Sequence, residues 1–142
     1  MNDSKTILTS TLHTAQMGQN GIKCVMEKAV CPALRKELRS QLKEYDNIET
    51  LAKHLAQVRN WDLPKVNPLL LTMSSLTSRA RLLVGDTDSL IAGMLIQGNT
   101  RGRILGMKKL SKAEDPDPAV VALSRKLLDL EQENIISAQE YL

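Results

Sequence analysis

Glu44 and Glu131, with the amides Gln41, Gln97 and Asn134, are the residues whose types and spacing come nearest to a chemistry. Carboxylates that project inward from different helices bridge and neutralise hard metal ions, and histidines complete the coordination spheres. The common dinuclear arrangement takes Glu-x-x-His from each of two helices, because residues three apart share a helix face. This chain contains no Glu-x-x-His: Glu44 is followed three residues later by Asn47, and Glu131 by Asn134. The two histidines, His13 and His54, stand on different stretches. In a hairpin turning near residue 31, position 13 lies level with about position 49, which leaves His54 over a turn away. A divergent metal site through Glu44 and Glu131, with amide or histidine help, stays open, and its ligand set is unknown. The plainer reading gives Gln41, Gln97 and Asn134 internal hydrogen bonds that set helix register, or places them at solvent-facing boundaries.

Other chemistries find less. On one continuous helix Cys24 and Cys31 are about two turns apart, too far for an easy bridge, and no CxxC or secretory framework is present. They read as small buried side chains near the first turn. Serines are plentiful, but two histidines make no triad without a positioned acid and nucleophile. A Walker motif and a dinucleotide fingerprint are both missing. No catalytic residue and no cofactor-binding residue is therefore assigned. The basic runs SRAR (78–81) and TRGR (100–103) border apolar faces, where snorkelling or an anion contact accounts for them. A net charge of +3 is explained by solubility, so nucleic acid is not an expected partner.

These residues need helices to position them. The chain has 142 residues, no Phe, one Trp and two Tyr, with abundant Leu, Met, Ala, Lys, Glu and Gln. That length suggests a single domain, residues 1–142, and that composition suits an aliphatic helical core. A first helix is expected from Ser4 or Lys5 to about Val30, with MGQNG (17–21) as its weak centre. The second starts at Pro32 and carries Leu34, Leu38, Gln41, Tyr45, Ile48, Ala52 and Leu55 in strict 3-4 alternation, ending near Asn60 or Trp61. Residues 69–84, LLLTMSSLTSRARLLV, form a shorter amphipathic segment that either stands apart or runs into the third helix. The third helix is expected from Asp86, a capping residue, to about Leu110. The fourth begins near Pro118 and extends to Leu142, with Val120, Leu127, Ile135, Ala138 and Leu142 on its apolar face. Residues 127, 131, 134 and 138 share one side, which turns Glu131 and Asn134 inward.

Gly98, Gly102 and Gly106 fall four apart on the third helix, and a helical glycine costs roughly 0.5–1 kcal/mol relative to alanine. The spacing predicts a smooth strip for close helix approach, with the first helix (Gly18, Gly21) or a second subunit as the mate. Gln97 beside it is the expected polar core residue of that helix.

A long connection between the second and third helices is what ferritin-like bundles use, whereas an up-down bundle needs only short loops. The runs LRKELRSQLKEYDNIETLA, SLIAGMLIQGNTRGRI and LLDLEQENIISAQEYL resemble a group of small bacterial proteins, chiefly from Firmicutes, related to the ferritin-like four-helix superfamily. The resemblance covers residues 8 to 142 and implies an all-α, ferritin-like four-helix bundle. The superfamily's metal ligands do not carry over: Glu44-Tyr45-Asp46-Asn47 and Glu131-Gln132-Glu133-Asn134 lack the histidine. Nor does the group supply a biochemical role. The expected protein is thus a non-enzymatic bundle acting through self-association, as a homodimer, or through protein interaction. A divergent metal-binding carboxylate protein and a helical adaptor, with a groove beside residues 69–84, are the alternatives. The N-terminus has no signal-peptide pattern and no apolar run approaches 18 residues, so a cytoplasmic location without a membrane span is expected.

Overall fold

The computed structural model describes residues 2–66 and 85–142. The described residues form four long helices: α1 (Asp3–Val25), α2 (Pro32–Val58), α3 (Thr87–Lys112) and α4 (Pro118–Gln139). A 3-10 turn, Met26–Lys28, follows α1, and there is no strand among the described residues. The expected segment 69–84 lies outside the described residues. One apolar core joins all four helices, with Ile7, Leu8 and Ile22 from α1, Leu34, Leu38 and Ile48 from α2, Ile91 and Leu95 from α3, and Val120 and Leu127 from α4.

The hydrogen bonds at the helix ends give the direction of each helix. Cys31, the residue before α2, makes no side-chain cap. Instead Asp88, in the first turn of α3, accepts from the Val30 and Cys31 amides at 2.8 and 2.9 Å. The carboxylate therefore sits at the positive end of the α2 dipole, and α3 starts beside the start of α2. At the opposite end the Glu114 amide donates to Asp3 Oδ2 at 2.8 Å and the Asp117 amide to Ser4 Oγ at 2.7 Å. Arg59, just past α2, pairs with Asp117 at 2.6 Å. So α4 starts beside the start of α1 and the end of α2. The four directions are up, down, down, up. Two consecutive helices that run the same way cannot be joined by a tight turn, and residues 59–86 connect them. A bundle with one long crossover of this kind is consistent with ferritin-like topology.

The remaining caps follow the sequence. Asn2 accepts from the Lys5 amide at 2.7 Å, Asp86 from Ser89 at 3.3 Å, and Asp117 from Ala119 at 2.9 Å. Gly85, before the Asp86 cap, takes a left-handed φ of 78°.

The first helix ends at Val25 rather than near Val30. The reason lies downstream: Pro32 pushes Cys31 into extended backbone, and Ala29 is extended as well, so the chain leaves the helix early. MGQNG does not interrupt α1, which is continuous through it. The α2 stripe is buried as expected through Ala52, and then Ala56 replaces Leu55 at the core. A strict 3-4 alternation averages 3.5 residues per turn, and a straight helix drifts off it within a few turns. The fourth helix stops at Gln139, leaving Leu142 exposed and Ile135 only half-buried.

Candidate functional site

A layer of polar side chains crosses the middle of the bundle. On α2, the Tyr45 hydroxyl donates to Asn99 Oδ1 of α3 at 2.8 Å. Asn134 Nδ2 of α4 donates to the Tyr45 oxygen at 3.3 Å and to Asn99 Oδ1 at 3.2 Å. Asn99 Nδ2 turns back to the Leu95 carbonyl at 2.7 Å. All three side chains are buried. Three helices are thereby tied at one level by groups that are neutral at ordinary pH. The fourth helix contributes absence of bulk: a Cβ on Gly18 of α1 would lie 2.7–2.9 Å from atoms of the Tyr45 ring. Burial raises the Tyr45 pKa, the nearby Glu131 charge raises it further and the Asn134 hydrogen bond opposes both, so the phenol stays protonated.

Glu131 lies one turn below Asn134 on the same face of α4, about 4.5 Å along the axis. It is 1% exposed. Its carboxyl rests directly on the backbone of Gly102, with Oε2 where a Cβ at that position would stand. The other oxygen, Oε1, is buried without a hydrogen-bond partner. Burial pushes the Glu131 pKa up to about 8, with partial opposition from Arg103. Gln41 flanks the layer from the other side, one turn above Tyr45, or about 6 Å. Its Nε2 donates to Glu37 at 3.0 Å while its Oε1 is buried without a partner.

Of the residues singled out by type and spacing, Gln41, Glu131 and Asn134 are in the core and Tyr45 joins them. Glu44 and Gln97 do not converge with Glu131. Glu44 is half-buried in an outer groove of about 350 Å³ between α2 and α4, alongside Arg125, Lys126 and Glu133. Gln97 is exposed, and Asn99 takes the inward position assigned to it. Asn47 and His54 are exposed. His13 Nε2 is 2.7 Å from the Pro64 carbonyl and so ties α1 to the chain after α2. Cys24 and Cys31 are half-buried and are not joined in a disulfide. Among the described residues no group of three or more His, Cys, Asp and Glu is placed to hold a metal ion. Asn99 was findable, since it continues the Ile91–Leu95 row at the next i+4 position.

The glycine strip divides. Gly102 and Gly106 face α4, where an added Cβ would meet Glu131 and, at 3.0 Å, the Leu128 side chain, whereas a Cβ on Gly98 or Gly93 would meet nothing within 4 Å among the described residues. Each four-residue step rotates by about 40° around the helix, so Gly98 has turned away from the face that Gly106 presents. The first helix is not the mate of this strip: its Gly18 meets Tyr45 of α2.

Comparison with protein-family models, curated proteins and solved structures finds no match. Fold and site nevertheless define a class. This is an all-α four-helix bundle with a long crossover between α2 and α3, cross-linked by a buried polar layer and without Glu-x-x-His. No described helix is long and apolar enough to cross a membrane.

Proposed function

We propose that the protein is a non-enzymatic bundle of the ferritin-like kind that acts in the cytoplasm by pairing with a second copy of its own chain, through the outer face of α3. The observation that carries this is the unequal burial of that helix. Its buried residues, Ile91, Ala92, Met94, Leu95 and Asn99, all precede residue 100. Beyond them Ile104, Leu105 and Met107 are 46, 45 and 44% exposed, and Leu90 is exposed on the outer side of the first half. A helix apolar on all sides is one that is covered on all sides.

Two further features support the pairing. Gly93 and Gly98 meet no neighbour among the described residues, so the helical cost of each has no return from those contacts. Leu90, Gln97 and Ile104 recur at heptad spacing, symmetric about Gln97. That pattern suits an antiparallel two-fold contact in which each residue meets its counterpart across the axis.

Light scattering coupled to size-exclusion chromatography tests the proposal. The parent should be a dimer across the micromolar range, and Ile104→Glu should weaken the association at least about tenfold by placing a charge in the apolar contact. A parent that stays monomeric throughout that range overturns it.

A further inference from the structure

We infer that Glu131 is a pH-operated element of the α3–α4 pair: neutral, it stays packed on the Gly102 backbone, and ionised, it withdraws from the core and loosens α3 from α4. This is independent of the proposed pairing, because every group involved belongs to one chain.

The geometry carries the inference. Glu131 is the only acidic residue among the buried polar residues described. Its carboxyl is set in a notch that exists because residue 102 has no side chain, so a carboxyl that withdraws leaves that part of the α3–α4 contact unfilled. Oε1 has no donor to satisfy it. An ionised carboxylate needs several donors when it leaves water, and otherwise its burial costs far more than that of a neutral acid.

The groups that face it are few. The buried face of α1, from Ile7 to Val25, carries no titratable side chain. The buried face of α2 carries one, the Tyr45 hydroxyl, which is committed to Asn99 and remains neutral. The buried residues of α3 carry none, and Arg103, half-buried next to Gly102, is the neighbouring cation on that helix. On α4 itself the buried residues other than Glu131 are Val120, Leu123, Ser124, Leu127, Asn134 and Ala138, none of them charged. Arg103 donates from Nη1 to the Leu128 carbonyl at 3.3 Å. It exerts an attraction on Glu131 that is weaker than the burial effect. A carboxylate leaving the notch finds in Arg103 an opposite charge nearer to solvent.

The direction of the pH effect follows. Glu131 has an ordinary value of 4.5 and a folded value of about 8, so between those limits the folded chain holds a proton that the unfolded chain has lost. Stability is greatest below the lower limit, falls as pH rises through the window, and levels off above it.

Two measurements decide the matter. The first is a carboxyl-carbon NMR titration of Glu131 in the parent, where a midpoint near 8 is expected. A midpoint in the ordinary carboxylate range of about 4–5 overturns the inference. The second is urea unfolding of the parent and of Glu131→Gln across the window. The parent's unfolding constant should rise by up to about tenfold per pH unit relative to the variant's. Equal pH slopes in the two proteins overturn the inference, and amide exchange around Gly102 that accelerates no more than the intrinsic chemistry does above the window removes the loosening. Should Glu131→Gln fail to fold, Arg103→Gln serves with the same titration: its midpoint should lie above the parent's, and an unmoved or lowered one counts against the assignment of Arg103.

Discussion

The two hairpins of this bundle use the same device with opposite outcomes. In α1/α2, Gly18 makes room for Tyr45; in α3/α4, Gly102 makes room for Glu131. Each is a glycine on one helix that admits a large polar side chain from its hairpin mate. Tyr45 then reaches two partners across the bundle, Asn99 and Asn134. Glu131 keeps a buried oxygen without any. The first pocket is thus a lock, with its polar atom matched. The second is a point of stored instability, held by keeping the acid neutral. Burial acts alike on the two groups and raises both pKa values. The outcomes differ because a phenol is neutral over the whole ordinary pH range, whereas a carboxyl is not.

Breaking the lock should have the largest effect. Gly18→Ala would put a methyl group within 2.9 Å of three ring atoms of a tyrosine that is anchored at its far end. Denaturant unfolding should show a loss of about 2–3 kcal/mol by overpacking. Tyr45→Phe keeps the ring and removes one donor and one acceptor from the layer. It should cost about 1–2 kcal/mol in the same measurement, with Asn99 and Asn134 left to satisfy one another.

Gly102→Ala sharpens the comparison. Its clash is with the end of a flexible side chain rather than with backbone or an anchored ring, so the loss should be nearer 1 kcal/mol. The more telling readout is the Glu131 carboxyl resonance, whose midpoint should fall toward the ordinary range once the side chain is displaced. Gly98→Ala is the smallest and opposite in sign. With no described residue within 4 Å of the new methyl, the subunit should gain about 0.5–1 kcal/mol from helix propensity. If the outer face of α3 is where two copies meet, the same substitution should weaken their association, and sedimentation velocity on the variant separates the two effects.

Particular residues show how far the sequence could be followed. The α2 row is amphipathic enough that Leu34, Leu38, Gln41, Tyr45, Ile48 and Ala52 could be placed inside from spacing alone, and they are buried. Glu131 and Asn134 follow equally from their places on the α4 row. Gln97 failed for a physical reason. Leu90, Ile91, Leu95, Ile96, Ile104 and Leu105 surround α3 with apolar side chains, so no single periodicity selects its inner face. Packing chose the face that carries Asn99 and left Gln97 outside. Tyr45 was legible as a core residue, but its hydroxyl partners were not, since they lie on two other helices.

By itself the sequence determined four helices, the Asp86 cap, a long crossover after α2 and the absence of Glu-x-x-His. Those features are local: propensity, capping and spacing act within a few residues and need no knowledge of the neighbouring helix. The tertiary structure alone decided which glycine faces which side chain, and therefore which buried polar group is satisfied. Both depend on the register between helices distant in the chain, where a shift of one turn would move Glu131 off Gly102 and Tyr45 off Gly18.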